Sequence, residues 1–440
     1  MATKIAGFGW PQFGAAAEKT SLKLQADRWL SRAQSAVKPS AAKRELVIQH
    51  AVERYKLCQT QMPHTSAPGQ LKWGNFLKDF KEAVRSLELD AGIGLPYKVL
   101  KMQTHRDMVE DSDYLPLLTR LVWNRLSKMS QAKFEDMSPE QLVREGLCDP
   151  IRLFIKGEPH KQSKLDEGRY RLIMSVSLVD QLVARVLFQS QNKREISLWR
   201  DIPSKPGFGL STDSEAKEFI RTLSKVVGCP PQTLIHEWKD KVVPTDCSGF
   251  DWSVADWMLE DDMEVRNRLT FNCNELTRRL RACWLKCITN SVLCTSDGTL
   301  YAQIHPGVQK SGSYNTSSSN SRIRVMAAYH CGAKWAIAMG DDALESPETD
   351  LNAYKKLGFK VEVSSQLEFC SHVFEQEDLA RPLNVAKTLY RLIYGYNPAC
   401  GNPEVLANYL QAVASVLNIL RHDPAEVAKL RNWLLPGGGQ

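Results

Sequence analysis

Two acidic stretches of the sequence have residue types and spacing that could bind metal ions. In the first, the apolar run 335–339 leads into Gly340-Asp341-Asp342. Five mostly apolar residues are long enough for a buried strand, and a Gly-Asp pair suits the positive φ of a tight hairpin turn. Successive strand residues point to opposite faces, so Asp341 and Asp342 cannot both aim the same way, and only one of them need be a direct ligand. An ordinary acidic turn is the alternative.

In the second stretch, a short β-branched strand over 242–245 ends at Asp246, and Asp251 follows five residues later. Loops at strand ends often carry functional side chains, which favours a role for Asp246. We predict that Asp251 lies at the start of a helix that continues through 254–265. At that position its carboxylate could instead serve only as a helix cap.

Positive charge is concentrated in residues 151–200, which hold ten Lys and Arg against five Asp and Glu, an excess of five in a chain of net charge +7. An apolar strand at 152–155 leads into a basic loop interrupted by Gly and Pro, and an extended pattern resumes over 168–174. Arg169 and Arg171 are two residues apart and would share one face of that strand. Such a segment suits nucleic acid or a nucleoside triphosphate, although a solvated basic hairpin has the same composition.

A polar helix start follows the loop 306–313. The helix predicted over 314–330 is rich in Ser and Asn at its beginning, and Thr316 and Asn320, four residues apart, share one helical face. Alone, these side chains would be capping groups. Beside two aspartate sites and a basic strand, they become candidate nucleotide contacts.

The elements that must position these residues are mostly helical. Helical patterns are present over 18–37, 41–58, 115–129 and 177–192, a Ser138-x-x-Gln141 capping box predicts a helix that starts near Pro139, and 291–304 is typical of a hairpin with Asp297-Gly298 in its turn. With 440 residues, 43 % of them hydrophobic, the chain can bury a large core and should divide into two or three lobes.

Cysteine spacing and hydropathy indicate a reducing, aqueous environment. The eleven cysteines lack the paired Cys-x-x-Cys spacing of zinc sites and are expected to be free and mostly buried. No apolar run approaches the ~20 residues of a membrane-spanning helix, and the N-terminus lacks a signal-peptide apolar region. We therefore expect a cytosolic protein.

The order of these segments resembles the motif series of viral RNA-dependent RNA polymerases: a basic loop, Asp-x4-Asp after a strand, Ser-Gly-x3-Thr-x3-Asn on a loop and helix, then Gly-Asp-Asp on a hairpin. The amino-acid sequence of these motifs is similar to that of the polymerases of sobemoviruses and poleroviruses, which are positive-strand RNA viruses of plants. The similarity is carried by Asp-Cys-Ser-Gly-Phe-Asp-Trp-Ser-Val from 246, Gln-Lys-Ser-Gly-Ser-Tyr-Asn-Thr-Ser-Ser-Ser-Asn-Ser-Arg from 309, and Ala-Met-Gly-Asp-Asp-Ala-Leu-Glu from 338. The likeness covers about residues 150–375, and four ordered motifs are specific where each alone is weak.

The resemblance implies an α+β fold shaped like a right hand, with fingers, palm and thumb and an antiparallel palm sheet that carries the Gly-Asp-Asp hairpin. The implied divisions are an N-terminal extension and fingers over 1–200, the palm over 201–282 and 306–380, a fingers insertion over 283–305, and a thumb over 381–440. The thumb would be mostly helical, around 405–420 and 424–435.

Residue roles follow from the same resemblance. It implies that Asp246 and Asp341 bind catalytic metal ions with Asp342 as a less direct partner, and that Asp251 and Asn320 read the ribose 2′-hydroxyl beside Ser311 and Thr316. The family's basic motif maps onto Lys164 and Arg171 as triphosphate contacts, with Lys156, Lys161 and Arg169 as further nucleotide-binding candidates. Strict spacing puts one expected cation at His160, which leaves His160 versus Lys161 open. Phe369-Cys370-Ser371-His372 resembles the hairpin that grips the primer strand, and the general acid could be Lys355, Lys356 or Lys360.

The implied function is template-directed synthesis of viral RNA from ribonucleoside triphosphates by two-metal-ion nucleotidyl transfer. Convergent carboxylates without His or Cys favour Mg²⁺, with Mn²⁺ as a substitute, over zinc. The implied partners are RNA template and product and nucleoside triphosphates, with a protein-linked primer and a viral membrane-anchoring protein as further candidates. The implied location is the host cytoplasm, at membrane-bound replication complexes.

Two rival functions share part of this pattern. A reverse transcriptase would share the aspartates, but that family usually has Tyr-x-Asp-Asp at the hairpin and a bulky residue where Asp251 lies. A non-catalytic RNA-binding protein would need the basic segment but not the metal-spaced acids.

Overall fold

The computed structural model describes residues 7–396 and 401–434. Its α-helices are Ala15–Ala33, Ala41–Arg54, Trp73–Arg85, Arg106–Val109, Tyr114–Gln131, Pro139–Arg144, Gln162–Glu167, Leu178–Ser197, Asp213–Val227, Pro231–Lys241, Phe250–Ser253, Asp256–Arg268, Glu275–Thr289, Thr316–His330, Ala353–Leu357, Val385–Tyr394, Pro403–Ile419 and Pro424–Leu434. Its strands are β1 Phe8–Gly9, β2 Ile151–Ile155, β3 His160–Lys161, β4 Leu172–Ser175, β5 Val243–Ser248, β6 Val292–Cys294, β7 Leu300–Ala302, β8 Ala336–Met339, β9 Asp342–Glu345, β10 Lys360–Val363, β11 Glu368–Phe369, β12 His372–Gln376 and β13 Leu379–Pro382.

The central sheet has the strand order β10-β5-β9-β8 and is antiparallel throughout. Both of its faces are covered. Small residues of β8 and β9, such as Ala338 and Ala343, pack against the helix Thr316–His330, while Ile337 and Leu344 pack in a separate cluster with Asp213–Val227. Because alternate residues face opposite sides of a strand, the continuous apolar run at 335–339 serves both layers.

The predicted Gly-Asp-Asp hairpin is confirmed. Met339 pairs with Asp342, which leaves Gly340 and Asp341 as a two-residue turn, and Gly340 has φ +59°. Glycine adopts this left-handed conformation without the steric cost that a Cβ imposes.

A second sheet, β4-β2-β6-β7, joins distant parts of the chain. Strand β2 pairs antiparallel with β4 inside the basic segment and parallel with β6, which begins about 140 residues after β2. The hairpin predicted over 291–304 is confirmed as β6 and β7, with Gly298 at φ +84° in its turn. The basic segment is therefore completed by a strand from much later in the sequence.

The two N-terminal helices support both sheets. Gln25, on Ala15–Ala33, donates to the carbonyl of Tyr170 at 2.8 Å, and Arg32 donates to the carbonyl of Ser248 at 2.7 Å. The helix Ala41–Arg54 packs its apolar side chains against the helices that back the central sheet. The predicted helices around 18–37, 41–58, 115–129 and 177–192 and the capping box at 138–141 are all confirmed, with shifts of a few residues at their ends.

The C-terminal helices form a separate hydrophobic cluster. Val385–Tyr394, Pro403–Ile419 and Pro424–Leu434 bury Leu389, Leu392, Val416, Leu420 and Leu430 among themselves. This confirms the helices predicted around 405–420 and 424–435, except that residue 435 lies outside the described residues. None of the helices that the structure describes is both long and apolar enough to cross a membrane. The described cysteines are free and mostly buried, as expected.

Two local predictions were wrong. The helix expected from Asp251 to 265 is two helices, Phe250–Ser253 and Asp256–Arg268, because Val254 between them is extended at ψ 116°. Asp251 is therefore not a cap of the long helix. Lys164 lies in the helix Gln162–Glu167 rather than in a loop, since that stretch forms one and a half turns.

Two further details differ from the sequence-based expectation. Arg169 and Arg171 precede β4, which starts at Leu172, so they are not strand neighbours on one face. Asp246 lies inside β5 rather than at its end, because pairing with β10 extends β5 to Ser248.

Candidate active site

Three carboxylates meet at one end of the central sheet. Pairing between β5 and β9 runs to Thr245 and Ala343, so Asp246 and Asp342 are the next residues along these adjacent strands. Asp341 occupies the turn before β9. One ligand oxygen from each of Asp246, Asp341 and Asp342 lies within 4.8 Å of the others. The expectation that the two turn aspartates cannot aim the same way is therefore wrong, because Asp341 is in the turn, where strand alternation does not apply.

The electrostatics of these carboxylates suit a cation. Burial, then repulsion from Asp341, raises the pKa of Asp246 to about 6. Burial, then the charges of Asp341 and Asp246, raises the pKa of Asp342 to about 7, and burial also raises the pKa of Asp341. Crowded carboxylates favour a bound positive charge. A donor set made only of carboxylate oxygens fits Mg²⁺ or Mn²⁺ better than zinc.

The helix Thr316–His330 holds the Gly340-Asp341 turn through hydrogen bonds. The buried guanidinium of Arg324 donates through Nε to the backbone carbonyl of Asp341 at 2.9 Å and through Nη1 to the hydroxyl of Tyr354 at 2.7 Å. Ser321 accepts a hydrogen bond from the backbone N–H of Gly340 at 2.9 Å. Sequence reasoning missed both residues. The sequence held one signal for Arg324: it lies four residues after Asn320, on the same helical face, and its neighbours over 323–328 are otherwise apolar.

The Asp251 and Asn320 pair is present as a hydrogen-bonded unit. Asn320 Nδ2 donates to Asp251 Oδ1 at 2.7 Å, and Asn320 Oδ1 accepts from Gln309 Nε2 at 3.0 Å. The backbone N–H of Gln309 also donates to the carbonyl of Asp251 at 2.8 Å. Burial raises the pKa of Asp251, and the hydrogen bond from Asn320 partly offsets that increase. Gln309, which the sequence did not single out, thus sets the orientation of the amide.

The loop 306–313 is held rigidly beside this pair. Lys310 is buried, and its ammonium donates to the carbonyls of Ile288, Gly307 and Val308 at 2.9, 2.9 and 2.8 Å. A Cβ at Gly312 would lie 1.9 Å from the carbonyl oxygen of Met174, so this close approach requires glycine.

Ser311 and Thr316 both bond to backbone in this arrangement. Ser311 Oγ accepts from the N–H of Met174 at 3.2 Å, and Thr316 Oγ1 donates to the carbonyl of Lys310 at 2.6 Å. The predicted neighbours of the Asp251 and Asn320 pair are therefore part of the same loop and helix start.

The basic cations gather around one carboxylate. Arg171 Nη1 lies 2.9 Å from Glu158 Oε1, and Lys156 Nζ lies 3.4 Å from Glu158 Oε2. Burial, then the charge of Arg171, lowers the pKa of Lys164, which places Lys164 near the same group. Burial raises the pKa of Asp341, and the charge of Arg171 is close enough to offset part of that increase. Arg171 therefore contacts Glu158 and also acts electrostatically on the carboxylate cluster.

Arg169 and His160 have partners other than the Glu158 carboxylate, and the contacts of His160 bear on the open choice between His160 and Lys161. Arg169 pairs with Glu167 at 3.6 Å. The buried imidazole of His160 accepts the backbone N–H of Arg171 at 3.0 Å through Nε2, and its Nδ1 lies 2.8 Å from the carbonyl of Glu158. Both ring nitrogens are thus engaged with backbone, and burial lowers the pKa of His160. Lys161 beside it is exposed.

The three candidate general acids lie on different elements. Lys355 and Lys356 are exposed on the helix Ala353–Leu357. Lys360 pairs with Ser248 across β10 and β5, and Glu362 pairs with Asp246. Directly opposed residues share a sheet face, and so do residues two apart on one strand, so Lys360 lies on the same face as Asp246.

The segment Phe369 to His372 forms a tight hairpin. Phe369 pairs with His372, and Cys370 and Ser371 have φ +50° and +60°. Burial, then the charges of Asp342 and Asp341, raises the pKa of Cys370. The turn therefore lies near the carboxylate cluster.

Comparison with known proteins gives a consistent result. A family model described as viral RNA-directed RNA-polymerase matches residues 1–396. The chain is 68 % identical over 437 residues to Protein P1-P2 of Potato leafroll virus, covering 99 % of this chain and 41 % of that protein. It is 38 % identical over 408 residues to Replicase polyprotein P2AB of Southern bean mosaic virus, covering 89 % of this chain and 40 % of that protein. The chain thus spans about two fifths of the length of these curated relatives.

A solved structure shares the fold. The Sicinivirus 3Dpol RNA dependent RNA polymerase aligns with a TM-score of 0.59 at 13 % identity, covering 88 % of this chain and 82 % of that one. At this identity the likeness concerns the fold alone. The family match and the Asp246, Asp341 and Asp342 cluster together indicate use of divalent metal ions.

Proposed function

The chain belongs to the viral RNA-directed RNA polymerases, and from that premise we propose that it synthesises viral RNA on an RNA template from ribonucleoside triphosphates. Its fold is the α+β right hand predicted from the sequence, with the Gly-Asp-Asp hairpin on an antiparallel sheet. The observation that carries the proposal is the convergence of Asp246, Asp341 and Asp342 within 4.8 Å.

The carboxylates are the proposed metal ligands, for Mg²⁺ with Mn²⁺ as a substitute. Two such ions, when bound, would lower the pKa of an attacking 3′-hydroxyl and stabilise a pyrophosphate leaving group. The chain itself supplies the geometry: β5 and the turn present the carboxylates, while Arg324 and Ser321 hold the turn backbone from the buried side. A preorganised turn has little reorganisation to undergo during reaction.

The proposed triphosphate contacts are Arg171, Lys156, Lys161 and Lys164, and Arg171 is the favoured member of this set. Burial raises the pKa of both Asp341 and Asp251, and the charge of Arg171 offsets part of each increase. A guanidinium also suits bidentate phosphate contact. Arg169, paired with Glu167, is a weaker candidate. The engagement of His160 with backbone favours Lys161 at the position that spacing left open.

Sugar recognition is assigned to Asp251 and Asn320. The hydrogen-bonded pair presents a polar, partly buried surface. The 2′-hydroxyl of ribose would form a hydrogen bond to it, whereas the 2′-hydrogen of deoxyribose would not. Ser311 and Thr316 support it through the loop 306–313. For the general acid, the shared sheet face favours Lys360 over Lys355 and Lys356.

Wider assignments complete the proposal. Fingers, with the N-terminal extension, would comprise 1–200 and 283–305, the palm 201–282 and 306–380, and the thumb 381–440. Proposed partners are RNA template and product, nucleoside triphosphates, a protein-linked primer and a viral membrane-anchoring protein, at replication complexes in the host cytoplasm.

The test is incorporation of labelled nucleotide by the purified chain on a primed RNA template with Mg²⁺. Ribonucleotide incorporation on RNA supports the proposal, and deoxynucleotide incorporation would instead support a reverse transcriptase. RNA binding without any incorporation would instead support a non-catalytic RNA-binding protein. Asp378→Asn, a change at an exposed aspartate in the turn after β12, serves as the matched control for Asp341→Asn.

A further inference from the structure

Glu158 contacts three cations rather than the two that the basic segment supplies. The third is Lys387, whose Nζ lies 3.3 Å from Glu158 Oε2, the oxygen that also contacts Lys156. Lys387 lies on the helix Val385–Tyr394, far from the basic segment in sequence. The Glu158 side chain is only 8 % exposed, so this contact is made at a nearly buried carboxylate.

The group holds more positive charge than Glu158 can neutralise. One carboxylate faces Arg171, Lys156 and Lys387, which leaves an excess of two positive charges. The side chains of Lys156 and Lys387 are 37 % and 32 % exposed, so solvent or an anion can reach them. A polyphosphate carries enough negative charge to satisfy such a group.

The cations around Glu158 also act electrostatically on other groups of the site. Arg171, which shares Glu158 with Lys387, offsets part of the raised pKa of Asp341. The positive charge of Lys387 is also felt at Lys164, whose pKa is lowered by burial, Arg171, Lys161 and then Lys387. Lys387 is therefore continuous with the cations that face the reaction centre.

We propose that Lys387 is a further triphosphate-binding residue, contributed by the C-terminal helical segment, and that Glu158 holds it beside Arg171 and Lys156 before nucleotide arrives. This inference rests on the proposed function. It assigns the polyphosphate site to two distant segments of the chain, so that bound nucleotide ties the helix Val385–Tyr394 to the basic segment.

The test compares Lys387→Gln, Lys387→Arg and Arg391→Gln. Arg391 is an exposed cation one turn further along the same helix and is the matched control. Binding of inorganic tripolyphosphate is measured by calorimetry without divalent ions, and the KM for ATP and the Kd for primed RNA are measured in parallel. Thermal unfolding of each variant checks that it is folded.

Loss of a partly exposed cation should weaken tripolyphosphate binding and raise the KM for ATP by about 3- to 10-fold in Lys387→Gln. Lys387→Arg should retain most of the affinity, Arg391→Gln should match the wild type, and the Kd for RNA should be unchanged. Equal effects of Lys387→Gln and Arg391→Gln overturn the inference, as does a loss of RNA affinity with tripolyphosphate binding intact. An active wild type with an unaffected Lys387→Gln variant removes only this inference, whereas an inactive wild type removes the proposed function.

Discussion

Replacement of Asn320 by alanine should weaken discrimination between ribose and deoxyribose. In the folded protein, the Asn320 amide donates to Asp251 Oδ1 at 2.7 Å and accepts from Gln309 Nε2 at 3.0 Å. A ribonucleotide can add its 2′-hydroxyl to this network, whereas a deoxynucleotide leaves a polar group without a partner. Without the amide, both sugars meet a network that is already broken.

The magnitude follows from the cost of an unpaired buried polar group, which is ~1–3 kcal/mol. Since 1.4 kcal/mol is a factor of ten, the ratio of kcat/KM for ribo- over deoxynucleotide should fall by roughly 5- to 150-fold. Asp251→Ala should reduce the ratio by a similar factor because it removes the other half of the same pair. Ser317→Ala, at an exposed position on the same helix, should leave the ratio unchanged.

The assay is steady-state incorporation of ATP and dATP opposite a single template uridine, with all variants at the same Mg²⁺ concentration. The ratio cancels general losses of activity, so a poorly active variant is still informative. If Asn320→Ala and Asp251→Ala keep the wild-type ratio while total activity falls, the pair is structural and the sugar is read elsewhere.

Three further predictions test other parts of the molecule. Asp341→Ala should abolish incorporation while RNA affinity stays near wild type, because the carboxylate acts through metal; incorporation within tenfold of wild type with either Mg²⁺ or Mn²⁺ would remove Asp341 from the metal site. Arg171→Ala should raise the KM for nucleotides more than it lowers RNA affinity, and the reverse pattern in filter binding and initial rates would assign it to the template path. Burial is the main cause that lowers the pKa of His330 to about 4, and the charges of Lys43 and Arg44 lower it further. As pH falls, the imidazole is therefore protonated in the unfolded chain before it is protonated in the folded protein. The free energy of unfolding should consequently fall as pH drops from about 6.5 to about 4. Urea unfolding of His330→Gln should show a smaller loss over that pH range, and an identical loss would contradict this assignment.

The sequence predicted those features that depend on neighbouring residues. The turn at Gly340 and the capping box at Ser138 follow from local conformational rules, and the structure contains both. The resemblance grouped Asp341 and Asp342 with Asp246, whereas strand alternation argued against their joint approach because it was applied to a turn residue. The division of the helix after Asp251 was missed because nothing in the apolar pattern reveals the extended backbone of Val254.

Contacts between residues far apart in the chain were harder to predict from the sequence. The motif order brought Asp251 and Asn320 together by resemblance, since their spacing alone does not require contact. Lys387 could not be selected from the sequence, because it pairs with a carboxylate far away in the chain, and the only signal for Arg324 was its position four residues after Asn320. A residue's charge does not reveal whether its partner is water or another element.

The parallel pairing of β2 with β6 has a consequence for synthesis on the ribosome. The two strands are separated by about 140 residues, so the edge of β2 that receives β6 stays open after β2 has emerged. At about 5–20 residues per second, that interval lasts roughly 7–28 s. An unpaired strand edge beside apolar side chains is a template for association with other chains. The nascent chain should therefore need protection by chaperones for that period.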